Sequence, residues 1–252
     1  MLAGLNVARA AKSLQRVRRA ALGWREPLIE GCPSPVQRLL GPAGRWLDML
    51  LVDHGVFRLF YLNRHRLGAR AWRSAQPAPH DIGALARRGV RTVINLRGER
   101  KCGSYWLERA ACRRHGIEMI DFKLHSRSAP SRECLRTAME LLHRIEYPML
   151  LHCKSGADRA GLMSVIYRHT VEGVPMAVAI GELSWRYGHF RRSPTGILDA
   201  VFERYLTDTR AEPMAFLDWV ENRYDPVALR AAFGQRGRAR PTHDPVWAER
   251  PN

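Results

Sequence analysis

The chain has no apolar run long enough to span a bilayer or to form the core of a secretory leader, because charged residues interrupt each candidate stretch. Its five cysteines, Cys32, Cys102, Cys112, Cys134 and Cys153, are odd in number and lack a disulfide-framework spacing, which points to a reducing, cytoplasmic setting. No set of His, Cys, Asp and Glu has metal-ligand spacing, no Walker loop occurs and no segment repeats, so neither a metal nor a cofactor is expected. Acidic residues are scarce as well. Against 41 Lys+Arg stand 24 Asp+Glu, a net charge of +17. So basic a chain favours anionic partners, and charge alone leaves phosphorylated substrates, anionic lipid and nucleic acid all open.

What is present divides into three parts. Residues 1–45 form a basic extension: Leu2, Leu5, Val7, Leu14 and Val17 alternate with Arg9, Lys12, Arg16, Arg18 and Arg19 at helical spacing, followed by a linker marked by Pro33, Pro35 and Pro42. The first segment is read as a solvated or docked helix, with an anionic membrane surface as the other reading. Residues 46–234 are expected to form the folded domain, entered through a core-packing helix from Trp46 to Leu62. Residues 235–252 read as a disordered basic tail.

Within the central part, strands and helices alternate. Strand patterns at Ala71–Ser74, Val90–Leu96, Ile117–Lys123 and Pro148–His152 are separated by helices capped by Asp81, running from Tyr105 to His115, and from Ser131 to Ile145. Further helices are expected over Gly161–Thr170, Pro175–Tyr187, Thr195–Leu206 and Glu212–Arg223, with Trp185, Tyr187, Phe202, Phe216 and Trp219 in the core. Aromatics so spaced are packing residues and not base-stacking platforms, so nucleic acid is not the expected partner. The alternation implies an α/β fold with a mostly parallel central sheet flanked by helices on both faces. Its ligand then sits at the carboxyl ends of the strands.

At that end lies the run Leu150-Leu151-His152-Cys153-Lys154-Ser155-Gly156-Ala157-Asp158-Arg159-Ala160-Gly161. It reads as strand, loop, helix. Cysteine attacks as the thiolate, a form that helix N-termini and neighbouring cations stabilise. The small residues Gly156 and Ala157 let backbone N–H groups curl inward as an anion-binding nest, and Arg159 brings a planar fork of donors.

This His-Cys-(five residues)-Arg-x-x-Gly pattern resembles the active-site loop of the cysteine-dependent protein tyrosine and dual-specificity phosphatases. Trp72-Arg73-Ser74-Ala75-Gln76-Pro77 and Val93-Ile94-Asn95-Leu96-Arg97 are similar to leading motifs of the bacterial dual-specificity-like branch. The resemblance spans about Ala71 to Thr170. It implies phosphomonoester hydrolysis through a phosphocysteine on Cys153, with Arg159 and the N–H groups of Lys154, Ser155, Gly156 and Ala157 holding the phosphate. His152 would orient the loop, and Lys154 resembles the basic position with which lipid-type phosphatases favour phosphoinositides. Arg73 and Arg97 either line the pocket or brace loops. The implied substrates are phosphotyrosine, phosphoserine or phosphothreonine proteins, or phosphoinositide-like molecules.

Two departures qualify the resemblance. The loop His125 to Pro130, where the family usually carries its general acid, has no acidic residue. Asp158, which resembles the in-loop acid of myotubularin-like lipid phosphatases, is the first candidate, and Asp121, a family-like distance upstream of Cys153, is the second. Asp158 has the alternative role of accepting loop N–H bonds. Ala160 replaces the Ser or Thr that usually follows the arginine. Two other classes stay open: a catalytically weak phospho-ligand-binding module, and a rhodanese-like sulfur or arsenate enzyme.

Overall fold

A computed structural model describes residues 62–238 together with Trp46 and Met49. The basic N-terminal segment, the Pro-rich linker, most of the helix expected from Trp46 and the tail beyond Arg238 lie outside the described residues.

Five strands form one sheet: β1 (His65–Arg66), β2 (Ala71–Ala75), β3 (Thr92–Asn95), β4 (Glu118–Asp121) and β5 (Met149–Cys153), in the spatial order β1-β2-β5-β3-β4. β1 pairs antiparallel with β2 at one edge, and every other pairing is parallel. The sequence reading is thus met, with an antiparallel edge strand that a two-residue element could not announce. β5 is central and wholly buried, as expected of a near-continuous apolar run in a parallel sheet.

Eight α-helices are found among the described residues. α1 (Pro79–Ala86) and α2 (Gly103–Arg114) cover one face, where Ile82, Leu85, Ala111 and Cys112 meet Val93 and Leu150. α3 (Arg132–Arg144), α4 (Asp158–Thr170) and α6 (Ile197–Asp208) cover the other, against Ile94, Met149 and Leu151. The alternation of Met149, Leu150 and Leu151 between the faces is the two-residue period of a strand. Each such fully buried aliphatic side chain contributes roughly 1.5–3 kcal/mol.

Several boundaries differ from the sequence reading. Asp81 is not the cap of α1 but its third residue, accepting from the N–H of Ala78 at 3.0 Å, with Pro79 opening the helix. α4 starts at Asp158, one turn before the expected Gly161, so its N-terminus reaches into the loop itself. The expected helix over Pro175–Tyr187 is broken into α5 (Met176–Ala179) and two 3-10 turns, Ile180–Glu182 and Trp185–Tyr187. Trp185 is consequently not a core residue; it is 80% exposed. Tyr187 is half-buried, whereas Phe202, Phe216 and Trp219 are in the core as expected. α7 (Phe216–Asn222) and α8 (Pro226–Arg238) complete the described residues, so residues 235–238, expected in a disordered tail, continue a helix.

Candidate active site

β5 ends at Cys153, which is 1% exposed, and α4 begins five residues later. The four residues between, Lys154 to Ala157, have their carbonyl oxygens held from outside. Gln76 N–H donates to the Lys154 carbonyl at 3.4 Å, and Asn63 Nδ2 to that of Ser155 at 2.9 Å. Arg73 Nη2 donates to those of Gly156 and Ala157 at 2.8 and 3.0 Å. In a trans peptide unit the N–H points opposite to the C=O. Fixing these four carbonyls outward therefore turns the N–H groups of Ser155, Gly156, Ala157 and Asp158 the other way, toward the concave side of the loop. That arrangement at a helix N-terminus is an anion cradle.

Gly156 makes the close approach possible. Its φ is +76°, and a Cβ there would lie 2.7 Å from the backbone of Ser74 and Ala75. Lys154 and Ser155 are exposed on the rim, while Gly156 and Ala157 are buried. Arg159, the second residue of α4, forms no hydrogen bond or ion pair among the described residues and so leaves its donor fork open to an anion.

Arg73 is fully buried, and its other terminal nitrogen donates to the carbonyl and carboxylate of Glu182 at 2.7 and 3.0 Å. Of its two candidate roles, pocket lining is corrected: the guanidinium is spent on the back of the loop. Arg97, 4% exposed, is also turned inward, donating through Nη1 to Gln76 Oε1. Gln76 passes the contact on through Nε2 to Glu108 at 2.9 Å, and the other oxygen of Glu108 lies 2.7 Å from His152 Nε2. His152, beside the nucleophile, is thus seated on a fully buried acid from α2.

The two candidate acids differ sharply. Asp158 lies with Oδ1 2.7 Å from His189 Nδ1. Burial opposes its ionisation, but hydrogen bonds from His189 and Thr195 hold the carboxyl below the usual range. Those bonds favour the carboxylate over the acid form. Asp121 ends β4 in register with Asn95, itself in register with His152, which places it at the carboxyl edge of the sheet two strand spacings, or about 10 Å, from the nucleophile's strand. The residue as a whole is exposed, while its carboxyl oxygens are partly screened by Asn95 and Tyr105. Asn95 Nδ2 and the Tyr105 hydroxyl donate to its two oxygens, each at 2.7 Å. Burial of the carboxyl pushes its pKa up, and those two bonds offset part of the rise.

Asn63, Glu108, Tyr105 and His189 were not found by reading the sequence. Their partners lie far along the chain, so no local pattern marked them; only the buried acid Glu108 on the apolar side of α2 left a trace.

Among known proteins, a family model described as "DSP-PTPase phosphatase fused to NAD+ Kinase" matches residues 62–190. The dual specificity protein phosphatase TpbA of Pseudomonas aeruginosa (strain UCBPP-PA14) is 28% identical over 124 residues, covering 48% of this chain and 53% of the relative. The chain therefore spans about half the length of the curated relatives it matches. Similar solved structures include P. aeruginosa TpbA, with 22% identity, a TM-score of 0.42 and coverage of 69% of this chain and 91% of that one. PTPMT1 is another, with 19% identity, a TM-score of 0.44 and coverage of 59% and 99%.

Proposed function

The chain belongs to the family whose model is described as DSP-PTPase phosphatase fused to NAD+ kinase, and from that membership and the cradle we propose that it hydrolyses phosphomonoesters through a phosphocysteine. Cys153 Sγ attacks phosphorus as the ester P–O bond breaks, and the leaving oxygen takes a proton. Water then attacks the phosphocysteine and releases inorganic phosphate and the thiolate. The inward N–H groups and the fork of Arg159 hold the equatorial oxygens, where charge is spread in the transition state. The observation that carries this reading is the outward bracing of all four loop carbonyls from Lys154 to Ala157.

The proton donor in this proposal is Asp121. Its raised pKa suits an acid that must arrive protonated, whereas Asp158 is held ionised.

The substrate is a phosphorylated protein or a phosphoinositide-like headgroup. Beside the cradle, Trp185 and Phe190 are 80% and 63% exposed, interleaved with exposed Arg186, Arg191 and Arg192. Asn63 ties this segment to the loop, since its Nδ2 donates to both the Ser155 and Tyr187 carbonyls. Projecting aromatics among arginines suit peripheral contact with an anionic membrane. A reducing, cytoplasmic setting is part of the same proposal, because the nucleophile must stay a thiol; the described cysteines are all free. No helix among the described residues is long and apolar enough to cross a membrane.

The test is phosphate release by the parent and Cys153→Ser from an aryl phosphate, phosphotyrosine and phosphothreonine peptides, and phosphoinositide vesicles. Turnover by the parent that vanishes in the variant is expected. Turnover that survives the substitution would overturn the thiol mechanism, and a parent that releases nothing while binding phosphate would leave a binding module in its place.

A further inference from the structure

Asp158 is out of place in an anion cradle. It adjoins Arg159 in sequence, and a carboxylate so near would be expected to take the arginine fork for itself and to repel an arriving phosphate. Yet among the described residues Arg159 forms no ion pair, and the carboxylate of Asp158, though near enough to feel the arginine's charge, is turned to His189.

His189 is 1% exposed and has both ring nitrogens committed to acids, Nδ1 to Asp158 at 2.7 Å and Nε2 to Asp199 at 2.6 Å. A neutral imidazole has one N–H and one lone pair, so it can donate to only one of two carboxylates and must aim its lone pair at the other. With both acids ionised, only the doubly protonated ring can donate to each. The charged groups around it are Asp158 and its neighbour Arg159 on α4 and Asp199, 3% exposed, on α6. The hydroxyl of Thr195 also bonds to Asp158.

Resting on the reading of this site as a phosphate cradle, we infer that His189 is a positioning residue for substrate binding: as an imidazolium held by Asp199, it occupies Asp158 and so keeps Arg159 free for the substrate phosphate. Asp199 is the element that fixes the charge state, because it supplies the second acceptor that a neutral ring could not satisfy. Burial would lower the pKa of His189, but the two carboxylates outweigh it and raise the value to about 9. His189 follows the Trp185–Tyr187 turn on the segment tied to the loop by Asn63, and a Cβ on Gly188 would lie 3.8 Å from that of Ala157, so the backbone brings the ring to the cradle wall.

The experiment measures inorganic phosphate binding by calorimetry on full-length Cys153→Ser protein, where no turnover intervenes. Adding His189→Gln is expected to weaken binding about tenfold, the effect of one uncompensated like charge at a partly screened site. Adding Asp158→Asn to that variant is expected to restore it, since the offending charge is then gone. A merely structural histidine predicts no such rescue, so a double variant that binds no better than His189→Gln, or a His189→Gln protein that binds like its parent, overturns the inference. Should His189→Gln fail to fold, Asp199→Asn decides: relative to the parent at the same pH, binding should be weakened at pH 8 and near normal at pH 5.5, and an equal loss at both overturns it. A Cys153→Ser parent that binds no phosphate removes the cradle reading itself, whereas firm parental binding without rescue removes only the role of His189.

Discussion

Tyr105 donates its hydroxyl to Oδ2 of Asp121 at 2.7 Å, joining the first turn of α2 to the end of β4. That bond lowers the Asp121 pKa against the larger upward push of burial. Tyr105→Phe should therefore raise it further. For a general acid the active form is protonated, so the alkaline limb of the kcat profile should move to higher pH in Tyr105→Phe and disappear in Asp121→Asn. A limb that stays in place in both variants would assign the proton to another group. Tyr105 itself remains a donor throughout, because burial and its bond to Asp121 push the phenol up.

Gly156→Ala should destroy the cradle while leaving the fold. The left-handed backbone costs a residue with a side chain about 1–2 kcal/mol, and the new methyl would meet the Ser74–Ala75 backbone at 2.7 Å. Since a displacement of about 1 Å can cost 100-fold in rate, phosphate release should fall by about that factor with the far-ultraviolet circular dichroism unchanged. Near-parental activity would mean the loop shape is not set by this contact.

Arg73→Lys keeps the charge and should still fail. Two terminal nitrogens of Arg73 serve four acceptors, the carbonyls of Gly156, Ala157 and Glu182 and the Glu182 carboxylate. One ammonium cannot reach all of them, and buried acceptors left unpaired cost about 1–3 kcal/mol each. Urea unfolding is expected to show a loss of about 2–4 kcal/mol, and an unchanged midpoint would refute the bracing role.

His189 also gives the protein a pH-dependent stability. Its folded pKa of about 9 lies above the ordinary 6.5, so its contribution, on the order of 3 kcal/mol, is fully present below pH 6.5 and is lost as pH rises through 9. Melting temperatures taken from pH 6 to pH 10 should fall in the parent and stay nearly level across that window in His189→Gln.

Ala160 is fully buried and brings no hydroxyl to the position after Arg159. Breakdown of the phosphocysteine should be slow, giving a burst of leaving group in rapid-quench traces of the parent. Ala160→Ser should diminish the burst and raise the steady-state rate. A parent without a burst would show that attack, not hydrolysis, limits turnover.

How much of this was legible depended on range along the chain. Pro148 to His152 declared itself a strand through the apolar run Met149-Leu150-Leu151, and Cys153 with Arg159 carried its chemistry in one short spacing. The split of Pro175–Tyr187 into short turns was not legible, since Trp185 and Tyr187 fit a helical period as well as an exposed edge. Asp158 shows the same limit of range: its neighbours in sequence suggest an in-loop acid, while the ring that contacts its carboxyl comes from His189, 31 residues on. Asp121 ranked second in the sequence because the Tyr105 and Asn95 that hold its carboxyl stand 16 and 26 residues away.

The braces of the loop carry a consequence for how the protein acquires its site. Asn63, Arg73 and Gln76 act on residues 78 to 92 positions later, at separations of 92 for Asn63 to Ser155 and 83 for Arg73 to Gly156. Closing loops of that length is entropically costly and comes late when contacts form in order of range. The helix bearing Arg159 can form locally, but the concavity above Cys153 cannot exist until the first and last parallel strands in sequence have paired. A chain emerging from synthesis thus holds its nucleophile for some time before it owns a place to bind an anion.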